Sequence, residues 1–463
     1  MWGTKKLAGY FLVFLAVLLS IGYILISFHT RYMFDDLGFS ALVRDNGIWA
    51  AFKILYFSWE TIYNTLVLFF LLKWNNYIPP YFYNISIFLL NIWCFYLLLK
   101  TIVRYHKIVI TSKEMLLLAV LVISLTYFSG RARGYAVYWV TGQIVYCLFL
   151  SYLFLGLYFW IKGRLFLASV FMFLFAHTRI NYDAIFIGLY VGYIISYWYE
   201  NNKLVFNLKS QIPFLFFLFG IITYIIIPGN YVRLHSIRGP DPSLQIGVLV
   251  IMKGWISAFK HMSGIVLGSW KQLMILPIGL LIGFYFSNNA SVQRFITPRF
   301  LLYYTLTFII CYIGQSTVIY ISLKTPVGYN RIFFFLEMLL FILMLLYGMF
   351  AAFFLQSRLS PKIISPIGGF VFLAIIIPVS IDYYQSFKVT SVFAKAYDKR
   401  IQGLKDLRQH PPGKIVYVPK LPDSGVLEFM EIEPQSSNTT QLPDNNSVYV
   451  SYYNLPFKVY LAQ

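Results

Sequence analysis

The stretch from Leu7 to Asp36, LAGYFLVFLAVLLSIGYILISFHTRYMFDD, decides how the rest of the chain is read. Leu7–Phe28 carries no charge and reaches the ~20 apolar residues that a helix needs to cross a bilayer. A cleavable signal has a shorter apolar core of roughly 7–15 residues and a small-residue cut site. This run instead ends in Ser27-Phe28-His29-Thr30 and is predicted to be an uncleaved first membrane helix behind Lys5 and Lys6. Asp35 and Asp36 follow a few residues beyond its end. Two adjacent anions repel unless water, a cation or a metal offsets them, so the pair is a candidate chemical centre.

Composition extends the reading to the whole chain. Of 463 residues, 59% are hydrophobic and only 12% are charged. Soluble domains carry about a quarter charged residues, so a polytopic membrane protein is expected. The net charge of +20 arises from 37 Lys and Arg against 17 Asp and Glu. These basic residues lie between apolar runs rather than in one face or tail. That pattern fits membrane orientation and contact with anionic lipid, not nucleic acid. Cys94, Cys147 and Cys311 all sit inside apolar runs and form neither a disulfide framework nor a metal-ligand spacing. The phosphate-loop, H-E-x-x-H and C-x-x-C motifs do not occur in the sequence.

Apolar runs near 8–28, 81–103, 114–129, 143–161, 164–178, 181–199, 211–228, 263–286, 299–321, 332–355 and 363–381 predict an all-α fold with about eleven membrane helices. The run 61–73 is too short to span comfortably, and Ile48–Trp59 reads as an aromatic segment lying at the interface. If 61–73 does not cross, one set of loops collects Lys5, Lys6, Lys100, Arg104, Lys107, Lys113, Lys162, Arg164, Lys203, Lys209, Arg294, Arg299, Arg358 and Lys362. By the positive-inside rule that side is cytoplasmic, with the N-terminus on it. The other side then holds the loop 29–80, Arg131, Arg133, Arg179, the loop Asn230–Ser243 and Lys324–Arg331. Residues 1–381 form the expected transmembrane domain and 382–463 a small α/β extracytoplasmic domain. Its 382–463 segment carries nine basic and eight acidic residues. A helix over Ser391–Gln409, stopped by His410-Pro411-Pro412-Gly413, and strands at Lys414–Pro419 and Ser447–Tyr453 are predicted there.

Asp35 or Asp36 has the chemistry of a general base for an acceptor, with its neighbour orienting that acceptor or helping to hold a divalent metal. The alternative is an interfacial pair that only marks a helix end. Arg233, Arg238, Lys324, Arg331, Arg131, Arg133 and Arg179 lie where a lipid-linked phosphate would sit, and guanidinium binds phosphate bidentately. Headgroup snorkelling explains most such residues singly. Arg179 and Asp183, four apart, have the spacing of a helix-end ion pair. Glu337 lies inside a long apolar run, where a paired structural acid is the commoner role. Tyr138-Trp139 could stack on a sugar, with Thr141, Gly142 and Gln143 making that run polar; His177 and Asp183 join these as sugar or acceptor contacts.

The layout resembles the GT-C superfamily of integral-membrane glycosyltransferases. The shared features are a first membrane helix, acids at the start of the first outer loop (Phe34-Asp35-Asp36), an interfacial segment, many crossings and a small polar C-terminal region. Tyr138-Trp139-Val140-Thr141-Gly142 is similar to a stretch in bacterial members. The resemblance implies a transferase in a bacterial plasma membrane, moving a sugar from a polyprenyl-phosphate donor to a cell-envelope glycan, lipid or protein. One acid, Asp35 by position, would deprotonate the acceptor, and outer Arg and Lys would stabilise the leaving phosphate. The chain departs from that pattern in lacking a clear second acidic motif in a later loop, where Asp183 or Asp241 would have to serve. No cofactor is implied with certainty; a divalent metal is the open case. Two other readings compete. A polymerase or ligase of lipid-linked glycans would use His177, His235, Arg233 and Arg238 instead of the acids. A flippase or transporter would need polar groups at mid-span or repeated broken helices.

Overall fold

The computed structural model of the chain describes residues 2–58, 63–74, 77–130, 133–201, 208–232, 252–256, 259–260, 263–264, 268–323, 333–409, 413–429 and 445–462. Among them, seven helices are long and apolar enough to cross a membrane: Lys5–Ser27, Pro80–Tyr105, Ser112–Ser129, Val140–Ile161, Pro298–Ile319, Phe334–Arg358 and Lys362–Gln409. Apolar helices at Ile48–Ser58, Leu165–Ala176, Lys209–Ile225 and Trp270–Phe286 are shorter. Leu165–Ala176 has 12 residues, and within the expected run at 263–286 the described residues include a four-residue turn at Trp270–Leu273 and a 12-residue helix at Ile275–Phe286. At ~1.5 Å rise per residue, each 12-residue helix covers little more than half of the hydrocarbon core. The protein is an all-α, multi-pass membrane protein.

Hydrophobicity cannot drive helices together once they lie in lipid, so close packing must. Ile275–Phe286 and Phe334–Arg358 meet through Gly279 and Gly348, each lying directly against the other helix's backbone. The first helix stacks Phe11 on Phe372, with ring centroids 4.0 Å apart. Higher up, the Tyr383 hydroxyl donates to the Leu19 carbonyl at 2.9 Å.

Membrane part and C-terminal part share one element. The helix Pro361–Gln409 has 49 residues and passes unbroken through Asp382, despite Pro366 and Pro378. A membrane consumes ~20 residues of helix, so the remainder projects beyond it. It ends where His410-Pro411-Pro412-Gly413 was expected to stop it. Strand β1 (Ile415–Val418) then pairs in parallel with β2 (Lys458–Leu461), Ile415 opposite Lys458. The strand expected at Ser447–Tyr453 is instead part of a helix, Asn445–Tyr453. Its Val and Tyr residues favour strands locally, but Asn446, Val448 and Tyr449 bury one helical face. Packing of that face overrides propensity.

Candidate functional site

Beyond the first helix the chain turns through residues 28–33 into a second helix, Phe34–Asn46, which opens on the two acids. Met33 is its N-cap in extended conformation, and Asp36 folds back to accept the Met33 N–H at 3.0 Å. Carboxylates in the first turn also complement the exposed N–H groups and the helix dipole there. The other Asp36 oxygen accepts from the Thr141 N–H at 2.9 Å and from the Thr141 hydroxyl at 2.5 Å. Asp36 is fully buried. Burial pushes its pKa up to about 7 against the opposing pull of its bonds from Met33 and Thr141.

Thr141 is available because its helix is broken. Arg133–Tyr138 and Gln143–Cys147 are wound as π-helix on either side of Val140–Gly142. Such wide turns concentrate at functional sites. Gly142 makes the break fit: a Cβ there would overlap the Tyr135 carbonyl oxygen. Gln143 bridges the widened turn, its amide donating to Val137 O at 2.7 Å and to the Tyr23 hydroxyl at 2.6 Å. Asn84 donates to Tyr138 O at 2.9 Å. Tyr138, Trp139 and Gln143, candidate sugar contacts, are buried in this structure; the Tyr138 ring lies 5.4 Å from that of Tyr23, nearly parallel.

Asp35 has a different setting from Asp36. It occupies the same first turn and is half-buried. Its charge is within electrostatic reach of Arg179, in the connection between Leu165–Ala176 and Ile180–Asn201. Arg179 is half-buried and lies over the Tyr146 ring at 5.5 Å. An acid and a guanidinium from distant segments thus share one end of the bundle.

The helix-end ion pair suggested by Arg179 and Asp183 is not made. Both Asp183 carboxylate oxygens are buried with no hydrogen-bond partner among the described residues. His177, a candidate sugar or acceptor contact, is buried, and its Nε2 lies 2.6 Å from the Thr223 hydroxyl. Glu337 is buried in the first turn of Phe334–Arg358, beside Gly130. Arg131, Arg233, Arg238, Lys324 and Arg331 lie outside the described residues, as do His235 and Asp241. Among the described residues no group of three or more His, Cys, Asp or Glu is placed to hold a metal ion.

Lys271 and Asp382, which sequence reading passed over, lie at this end with Arg133. Arg133 approaches Asp382 at 3.4 Å, and Lys271 binds the other oxygen of Asp382 at 2.5 Å. Both cations sit over the Phe128 ring, at 5.4 and 5.1 Å. A single lysine within the run 263–286 was the available signal for Lys271, but no local pattern pairs it with Asp382. Glu428, from the C-terminal segment, packs its side chain on Gly134 of the broken helix and accepts the Tyr135 N–H.

C-terminal residues also brace the acidic helix. Arg31 forms a two-pronged pair with Asp398 at 2.7 and 2.6 Å, and His29 Nδ1 lies 2.8 Å from the Thr390 hydroxyl. Arg44 donates to the carbonyls of Ser451 and Tyr452 at 3.0 and 2.8 Å, and Val448 packs at Gly38. No protein-family model matches this chain, and no curated protein and no solved structure matches it.

Proposed function

We propose that this chain is a membrane glycosyltransferase of GT-C type, with about eleven crossings, that transfers a sugar from a polyprenyl-phosphate donor. The acceptor is a glycan, lipid or protein of the cell envelope, on the outer side of a bacterial plasma membrane. The observation that carries this reading is the placement of one acidic pair at the start of a helix fixed by Thr141 and facing Arg179. Asp36 accepts three hydrogen bonds that fix the turn, and its half-buried neighbour Asp35 stands on the same turn within electrostatic reach of Arg179. Asp36 fixes the turn, and Asp35 does the chemistry.

In this mechanism Asp35 takes the proton from the acceptor's hydroxyl or amine as that group attacks the anomeric carbon. The bond from that carbon to the phosphate oxygen breaks, and the lipid phosphate leaves with the electron pair. Arg179 stabilises the charge that grows on the phosphate, which is worth most where water is excluded. Asp36 acts through the position of Asp35 and touches no substrate.

The test is sugar transfer by purified protein from a panel of polyprenyl-phosphate sugars. Asp35→Asn is expected to lose transfer by a factor of ~10²–10⁴, the usual contribution of a positioned base. Asp36→Asn is expected to lose less. Full transfer by both variants overturns the assignment, and favours a polymerase, ligase or transporter that does not use the pair.

A further inference from the structure

The C-terminal segment brings one strained acid to the broken helix. Glu428 follows the short turn Gly425–Leu427 with φ 49° and ψ 46°, the left-handed region that costs a non-glycine residue. Residues in that region persist where surrounding structure demands it, most often at functional sites. The segment is anchored to the long helix by Phe429, whose ring lies 4.9 Å from that of Phe393, and by the Ser424 hydroxyl, which accepts the Phe429 N–H at 2.8 Å. Gly134 leaves the space that the Glu428 side chain enters. The carboxylate accepts the Tyr135 N–H, while its Oε2 is shielded from solvent with no hydrogen-bond partner among the described residues. A shielded carboxylate oxygen without a donor is costly, so a site that keeps one is suited to a ligand that supplies the donor.

The surroundings say which kind of ligand fits. Arg133 acts electrostatically on Glu428, and Arg133 and Lys271 share the single carboxylate of Asp382. Cations able to hold a phosphate oxygen therefore stand beside an acceptor able to hold a hydroxyl. That combination matches a glycosyl phosphate, whose anionic group and ring hydroxyls are adjacent. Eight residues of the broken helix, Gly134–Thr141, then serve both ends of the site, with Thr141 fixing the acidic helix and Gly134-Tyr135 receiving Glu428.

We propose that Glu428 is a donor-binding residue supplied by the C-terminal segment, its Oε2 accepting a hydrogen bond from a hydroxyl of the bound sugar. This rests on the glycosyltransferase reading above. The C-terminal segment is on this view one wall of the binding site.

Steady-state transfer is measured for the wild type, Glu428→Gln and Asp35→Asn, with the accepted polyprenyl-phosphate sugar and its mono-deoxy analogues, alongside thermal unfolding in detergent. Glutamine keeps one oxygen for the Tyr135 N–H and replaces the other with a donor. Glu428→Gln is expected to raise the donor KM about ten-fold, the scale of one lost hydrogen bond to a charged group, with kcat and the thermal midpoint unchanged. One deoxy analogue should show a similar KM penalty in the wild type and no added penalty in Glu428→Gln. An unchanged KM in Glu428→Gln, with Asp35→Asn inactive, overturns this inference and leaves the transferase reading standing. A lower thermal midpoint with equal penalties for every analogue overturns it too, since it marks a purely structural role. Full transfer by Asp35→Asn removes the reading on which it depends, and the inference with it.

Discussion

Asp36 and Thr141, 105 residues apart, are joined twice through one carboxylate oxygen, by a backbone N–H at 2.9 Å and a hydroxyl at 2.5 Å. This link locks the acidic helix to the broken helix and sets where Asp35 stands. Thr141→Val keeps the shape and removes the hydroxyl, leaving a buried acceptor short of one donor. A loss of ~1–3 kcal/mol in stability is expected, as for a buried hydrogen bond to a charged group. Thr141→Ser keeps the hydroxyl and should recover most of it. Chemical or thermal unfolding in detergent measures both, and equal stabilities for the Val and Ser variants would count against the link.

Titration of Asp36 gives the second prediction. Its pKa rises from the usual carboxylate value to about 7 in the folded protein, through burial. Below an unfolded value of ~3.9 both states bind the proton. Between there and about 7 the folded state binds more protons than the unfolded one, so stability falls as pH rises through this window and is flat in this respect above it. The thermal midpoint of the wild type, measured relative to Asp36→Asn, should decline from pH 4 to pH 7. Parallel profiles for the two proteins would show that Asp36 does not titrate there.

Gly142 gives a prediction about the backbone. A methyl group there would meet the Tyr135 carbonyl, which cannot move without undoing the π-wound turn, whereas Gly368 has open space around it. Gly142→Ala is expected to cost ~1–3 kcal/mol or more, the range for overpacking a close contact. Gly368→Ala, within the long helix, should be neutral or mildly stabilising by up to ~1 kcal/mol. Yield of monodisperse protein and the thermal midpoint separate the two, and similar values would contradict the packing.

The expected orientation rests on the charge of the loops and can be tested. Cys94, Cys147 and Cys311 are all buried, so an introduced cysteine can be read against a quiet background. Tyr77 is 80% exposed and lies next to the start of Pro80–Tyr105, and His106 is exposed at its other end. A membrane-impermeant thiol reagent added to intact cells should label Tyr77→Cys and spare His106→Cys. The reverse pattern would invert the positive-inside assignment and move Asp35 to the cytoplasmic face.

Several elements were legible in the sequence because their causes are local. The first helix, the run 80–105 and the helix 334–358 follow from apolar length alone, and the stop near His410 follows from proline chemistry. The pairing of acids with a helix start was visible too, since Asp35 and Asp36 sit directly behind an apolar boundary. The strand expected at Ser447–Tyr453 was not sound, because alternation of Val and Tyr fits a strand and a short helix packed at Gly38 equally well. Shortening of Leu165–Ala176 and Ile275–Phe286 was hidden for a similar reason. Hydropathy marks what lies in an apolar setting and says little about where one helix stops.

The sequence by itself determined a membrane-embedded helical protein with an acidic pair behind its first helix, since both are sums of local transfer and charge preferences. Tertiary structure alone decided that Asp36 is tied to Thr141 and that Asp35 lies within reach of Arg179. It also turned Tyr138 and Gln143 inward, and brought Arg133, Lys271, Asp382 and Glu428 to one end. Most of those outcomes depend on which donors and acceptors meet across fifty to three hundred residues of chain. Hydrogen bonds and ion pairs act over a few ångströms in space, and spacing along the chain carries no record of them until the helices have packed.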